Sequence, residues 1–101
     1  MRPLIGCIAG FGNVGRTLAR FIRDHHAADA RIAGICDPDP AARAGAGEAG
    51  LQATVDLEEL LRTKPDFAII ASTSAAHALQ VEQAAAAGCH VFCEKPIALD
   101  L

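Results

Sequence analysis

Apolar residues in this chain gather into short runs of the kind a sheet interior buries, and the stretches between them carry a helical repeat. Leu4–Ala9 is nearly continuous in apolar character and closes on glycine, as a parallel strand buried on both faces does. Behind it Val14, Leu18, Phe21 and Ile22 recur at helical spacing, which predicts a helix laying that stripe on the sheet while Arg16, Arg20 and Arg23 point elsewhere. Arg31–Cys36 is a second strand, stopped by Asp37-Pro38-Asp39-Pro40, where the second proline is placed to open a helix. The middle of the chain is weaker in pattern: a Gly-interrupted helix over Ala41–Gly50, a brief strand near Ala53-Thr54, and a short helix carrying Leu57, Leu60 and Leu61 with Asp56 as its cap. Phe67–Ala71 is another buried strand, Ser72-Thr73-Ser74 offers capping hydroxyls to an Ala-rich helix over Ala75–Ala87, and His90–Cys93 is a last strand.

Strands alternating with helices at this rhythm specify right-handed βαβ crossovers, so the expected fold is α/β, a doubly wound parallel sheet of the Rossmann type. With 101 residues there is room for one domain, expected to span residues 1–101 and to stop before its last helix and strand, with no second domain for a substrate. That would leave His90–Cys93 as an apolar edge open to self-pairing, which makes a homo-oligomer an expectation.

Charge and composition then remove classes of partner. A net charge of -3 without a basic stripe, and an aromatic content of 4%, argue against a nucleic-acid binder. Even the Ala-rich stretch is broken by His77, Gln80, Glu82 and Gln83, so no window has the apolar length of a membrane span. The four cysteines, Cys7, Cys36, Cys89 and Cys93, lie in or beside apolar runs, as core residues of a reducing cytoplasm would. Cys89, His90 and Cys93 make a poor metal set, because Cys89 and Cys93 fall on one side of a strand and His90 on the other, so a core role is expected and no metal. His25 and His26 fall at a helix end, where an imidazolium suits the negative end of the dipole.

The chemistry begins where the first strand ends. Gly10-Phe11-Gly12-Asn13-Val14-Gly15 has the G-x-G-x-x-G spacing of a dinucleotide site: a tight turn, a bare backbone for a pyrophosphate to approach, and close packing of the helix that follows. The spacing alone is weak, but it leaves a predicted strand and opens a predicted helix whose N-terminal amides can hold phosphate without a Lys or Arg. Asp37 comes twenty-two positions after Gly15, at the end of the second strand, where a carboxylate accepts the ribose hydroxyls of NAD. A 2'-phosphate would meet like charge there, so NAD is preferred over NADP unless Arg43 folds back.

With Thr73-Ser74-Ala75-Ala76-His77 and Gly88 through Glu94-Lys95-Pro96 added in order, the chain resembles the glucose-fructose oxidoreductase / inositol dehydrogenase (Gfo/Idh/MocA) family along essentially its whole length. The resemblance implies an NAD(P)-dependent oxidoreductase acting on a sugar, polyol or related hydroxyl or carbonyl compound. It implies that Lys95 is catalytic, beside the nicotinamide and the substrate oxygen, and that Thr73, Ser74, His77 and Glu94 lie on the cofactor side. Ser74 stands where the family usually has proline, which puts its own contact in doubt. Without a substrate domain the expectation is cofactor binding without turnover. Two rivals remain at this point: a homoserine- or aspartate-type dehydrogenase, which shares a Gly-Phe-Gly-x-Val-Gly start, and a nucleotide-binding module with no catalysis of its own.

Overall fold

The computed structural model of the chain describes residues 2–72 and 74–93, with the side chain of Ser74 left aside. Five strands alternate with four helices: β1 (Leu4–Ala9), α1 (Asn13–His25), β2 (Ala30–Cys36), α2 (Pro40–Glu48), β3 (Gln52–Thr54), α3 (Leu57–Leu61), β4 (Phe67–Ile70), α4 (Ser74–Ala86) and β5 (His90–Cys93). All pairings are parallel and the spatial order is β3-β2-β1-β4-β5. The chain runs outward from β1 to β3, then returns to the other side of β1 for β4 and β5. That reversal opens a crevice at the carboxyl end of β1, where doubly wound sheets bind their ligands.

Alternation along the strands divides the core in two. Cys7, Ala9, Cys36, Ala68 and Ile70 meet Leu57 and Leu60 of α3 and Ala84 of α4 on one face. Ile8, Ile32, Ile35, Phe67 and Ile69 meet Leu18 and Ile22 of α1 and Ala46 of α2 on the other. The β1–β2 ladder skips one residue, passing from Gly6↔Ile32 to Cys7↔Gly34, so Ala33 bulges out and Ile32 and Ile35 share a face despite being three apart.

Helix starts follow local chemistry in part. Pro40 opens α2 as expected, and the carboxylate of Asp39 caps it by accepting from Ala41 N–H at 3.0 Å. Asp56 occupies the cap position of α3, but its side chain makes no capping bond. The turn is held instead through its main chain, the Thr54 hydroxyl donating to the Asp56 carbonyl at 2.9 Å.

The expected stripe of α1 also needs correction. Gly15, Leu18 and Ile22 face the sheet, while Val14 and Phe21 are 45% and 51% exposed. The buried face is turned by one position because glycine at 15 lets α1 lie close to the end of β1. Phe21 packs its ring beside His25 and His26 at the helix end, with centroids 4.7 and 5.3 Å away. Leu4 and Phe92 occupy the α1 side of β1 and β5 and are exposed as well, since α1 and α2 lie over β1–β3 and no described helix covers β5 there. The expected core role fails for Cys93 and His90, which are exposed on this outermost described strand, whereas Cys89 is half-buried with its Sγ 3.4 Å from the Pro65 carbonyl.

Candidate functional site

Three glycines shape the turn after β1, each under a different constraint. Gly10 has φ +97, and a Cβ there would stand 2.7 Å from the backbone of Ser72, so the main chain of β1 passes directly against the segment leaving β4. Its N–H donates to the Cys36 carbonyl at 2.8 Å, tying the ends of β1 and β2. A Cβ on Gly15 would lie 2.1 Å from the Gly10 carbonyl oxygen, which is how closely the first turn of α1 sits on the loop. Gly12 is the opposite case, because a Cβ there would meet nothing within 4 Å.

That open space lies at the N-terminus of α1. Gly12 is the cap residue with no side-chain capping bond, and the helical ladder begins only with Arg16 N–H donating to Gly12 O at 3.0 Å. The amides of residues 13–15 therefore have no carbonyl within their own helix and carry the positive end of its dipole. Asn13 and Val14 are exposed here, Asn13 accepting from Arg16 through Oδ1 and from the Thr17 hydroxyl through its carbonyl. Phe11 differs from its neighbours: its ring is buried on the α1–α2 side of the sheet, so only its main chain belongs to the turn.

Asp37 leaves β2 with its N–H on the Thr54 carbonyl at 3.0 Å and turns its carboxylate back to the glycine loop. One oxygen accepts from Phe11 N–H at 2.8 Å, the other from Asp39 N–H at 2.9 Å. An ionised carboxylate has about four acceptor positions, so two remain after these amides are counted. The guanidinium of Arg43 does fold back, and its use is structural: Nη1 donates to the carbonyls of Asp37 at 3.0 Å and Pro38 at 2.9 Å, clamping the loop from α2.

The β4 side of the crevice is built from side chains. His77, in the first turns of α4, is 3% exposed, with Nε2 at 3.0 Å from the carbonyl of Ile70, the last residue of β4. A carbonyl only accepts, so Nε2 carries a proton, and Nδ1 is buried with no hydrogen-bond partner among the described residues. Ser72, which sequence reasoning used only as a capping hydroxyl, donates to Oε1 of Gln80 one helical turn beyond His77. Thr73, Glu94 and Lys95 lie outside the described residues. The buried thiols of β1 and β2 are poor nucleophiles: burial pushes those of Cys7 and Cys36 up to about 12.

A dinucleotide fits this arrangement. The space that a Gly12 Cβ would fill adjoins unpaired helix amides, and an oriented carboxylate with free acceptor positions stands across the loop. Residues 6–101 match the profile of the oxidoreductase family with an NAD-binding Rossmann fold that takes in glucose-fructose oxidoreductase, inositol dehydrogenase and their relatives. The chain belongs to the Gfo/Idh/MocA family. Among the curated relatives of this Gfo/Idh/MocA chain, inositol 2-dehydrogenase of Rhizobium meliloti (strain 1021) is 37% identical over 95 residues, covering 92% of the chain and 28% of the relative. An uncharacterized oxidoreductase of Streptococcus pneumoniae serotype 4 is 38% identical over 93 residues, covering 91% and 24%. Apo scyllo-inositol dehydrogenase from Lactobacillus casei superposes with a TM-score of 0.85 at 30% identity, over 95% of this chain and 29% of that one. The WlbA dehydrogenase from Bordetella pertussis, in complex with NADH and UDP-GlcNAcA, superposes with a TM-score of 0.84 at 28% identity, over 95% and 30%. The chain thus spans about a quarter of the length of the curated relatives it matches, 24% and 28% in these two. Membership of this family removes the homoserine- or aspartate-type alternative raised by the Gly-Phe-Gly-Asn-Val-Gly start.

Proposed function

We propose that the chain is the nucleotide-binding part of an NAD-dependent oxidoreductase that passes hydride between the nicotinamide and a carbon of a sugar, polyol or related hydroxyl or carbonyl compound. The observation that carries this reading is the carboxylate of Asp37, held by two backbone amides with two acceptor positions left over, the number a ribose diol needs. The amides of Asn13, Val14 and Gly15 hold the diphosphate, Gly12 leaves room for it, and Gly10 with Phe11 supplies the turn. NAD is preferred over NADP, because a 2'-phosphate would meet Asp37 while Nη1 of Arg43 is occupied by two carbonyls.

When bound, the nicotinamide supplies the carbon that accepts or returns the hydride. His77 serves as a positioning residue: buried and bonded to the end of β4, it fixes the segment that leads to Thr73 and Ser74. By family resemblance Thr73, Ser74 and Glu94 line the cofactor side. Lys95 hydrogen-bonds the substrate oxygen as charge develops on it, so it is the proposed catalytic residue. Residues 1–101 act as one nucleotide-binding unit. The substrate class is supported by the inositol dehydrogenases among the relatives and by the neighbour holding UDP-GlcNAcA. A reducing cytoplasm suits the four free cysteines, and the exposed Phe92 on β5 suits self-association.

Calorimetric titration with NAD and NADP tests the reading. The chain is expected to bind NAD and to bind NADP more weakly. Asp37→Ser should weaken NAD by about 10- to 100-fold and narrow or reverse the preference, as loss of charged hydrogen bonds does. A folded chain with no affinity for either nucleotide would end the proposal.

A further inference from the structure

A second hollow runs along α1, between that helix and α2, with a volume of about 480 Å³. Its lining includes the apolar side chains of Phe11, Ile32 and Leu51, and its far wall is made of Gly45 and Glu48 of α2 with Ala49 just beyond the helix. Gly45 has an ordinary helical φ, and a Cβ added to it would meet nothing within 4 Å. Neither backbone conformation nor packing asks for glycine there, and glycine inside a helix costs about 1 kcal/mol relative to alanine. Its missing side chain leaves room on the α2 side of the groove.

The charge around the groove is as uneven as its width. Arg16, Arg20, Arg23 and Arg31 all line it, four of the nine basic residues in a chain whose net charge is -3, against Glu48 as the single acid of the lining. Arg16 bonds Asn13 and Arg23 pairs with Asp24, whereas Arg20 and Arg31 have no hydrogen-bond or ion-pair partner among the described residues. Guanidinium groups present planar forks suited to carboxylate, sulfonate or phosphate oxygens. The volume lies within the roughly 300–1,000 Å³ usual for small-molecule sites.

We infer that the α1–α2 groove is a binding site, separate from the dinucleotide crevice, for a small organic anion with an apolar body, its head taken by Arg20 and Arg31 and its body lying over Phe11, Ile32 and Leu51. The inference does not depend on the nucleotide reading, since it uses neither the glycine turn's open space nor Asp37.

The probe is 8-anilinonaphthalene-1-sulfonate, an aromatic body with one anionic head, titrated by fluorescence into the intact chain with saturating NAD present. Saturable binding is expected, and the uncharged analogue N-phenyl-1-naphthylamine should bind about tenfold more weakly or worse, the value of one charged hydrogen bond. Gly45→Leu fills the groove while improving helix propensity, so it should abolish probe binding with the circular dichroism spectrum and unfolding midpoint retained or raised. The paired substitution Arg20→Ala and Arg31→Ala, at exposed positions, should weaken the sulfonate by about tenfold or more. The inference is overturned if the wild-type chain does not bind the sulfonate, if Gly45→Leu or the paired arginine variant binds it equally well, or if the uncharged analogue binds as tightly.

Discussion

The two sides of the nucleotide crevice are built in different materials. At the ends of β1 and β2 the main chain supplies the donors: Gly10 N–H reaches the Cys36 carbonyl, Phe11 N–H reaches the Asp37 carboxylate, and the helix amides stand open beside Gly12. At the end of β4, beside the backbone bond from Ala71 N–H to the Ala9 carbonyl, the added contacts belong to side chains, His77 to the Ile70 carbonyl and Ser72 to Gln80. A backbone-made site is rigid before the ligand arrives and depends on what residues lack. A side-chain-made site depends on what they carry, so substitutions in the two regions should separate binding from stability in opposite ways.

The largest effect is expected from Gly15→Ala. Its Cβ would lie 2.1 Å from a backbone oxygen that cannot move aside without dragging the loop. Overpacking of this kind costs about 1–3 kcal/mol and occasionally more, so urea unfolding should show a large loss of stability together with loss of NAD binding. Next comes His77→Ala, which removes a buried hydrogen bond and opens a gap under the start of α4. About 1–3 kcal/mol of stability should disappear in the same assay, with the weaker NAD affinity recovering once the protein is held fully folded at low temperature. The smallest structural effect belongs to Gly12→Ala, whose Cβ enters empty space. Its unfolding free energy should stay within about 0.5 kcal/mol of wild type while NAD affinity drops by calorimetry. Equal loss of stability in Gly12→Ala and Gly15→Ala would erase the distinction between a glycine kept for the fold and one kept for the ligand.

The sequence disclosed the backbone-made half far better than the other. Glycine spacing, the position of Asp37 and the strand runs all follow from steric rules that hold residue by residue, and the strands and helices stand where the apolar pattern places them, within a residue or two at their ends. Burial at the margins was harder to read. Val14 and Phe21 share the helical repeat with Leu18 and Ile22, yet face outward, because periodicity gives a stripe without saying which edge of it a neighbour covers. Asp56 has the right chemistry for a cap, but the Thr54 hydroxyl bonds its carbonyl instead, a choice between two local bonds that composition does not rank. Arg43 was legible as a residue that would matter by folding back, though not as a clamp on two carbonyls. The Phe11–Asp37 bond joins positions twenty-six apart, and its signal lay in the crowding of two strand ends that only the assembled sheet brings together.

The skipped residue in β2 has a mechanical meaning. Because Ala33 is looped out of the ladder, the stretch from Gly34 onward lies one place behind an unbroken strand, and the acid at its tip stops level with the amide it grips. Deleting Ala33 would straighten the ladder with Gly6↔Ile32 and Cys7↔Gly34 still paired, so the tip would keep its level; drawing Ala33 into the ladder opposite Cys7 would instead advance it by about 3.3 Å, the rise of one extended residue. The solvent-facing alanine thus sets how far the carboxylate reaches by staying out of the ladder, and its loss alone would leave the grip on the Phe11 amide in place.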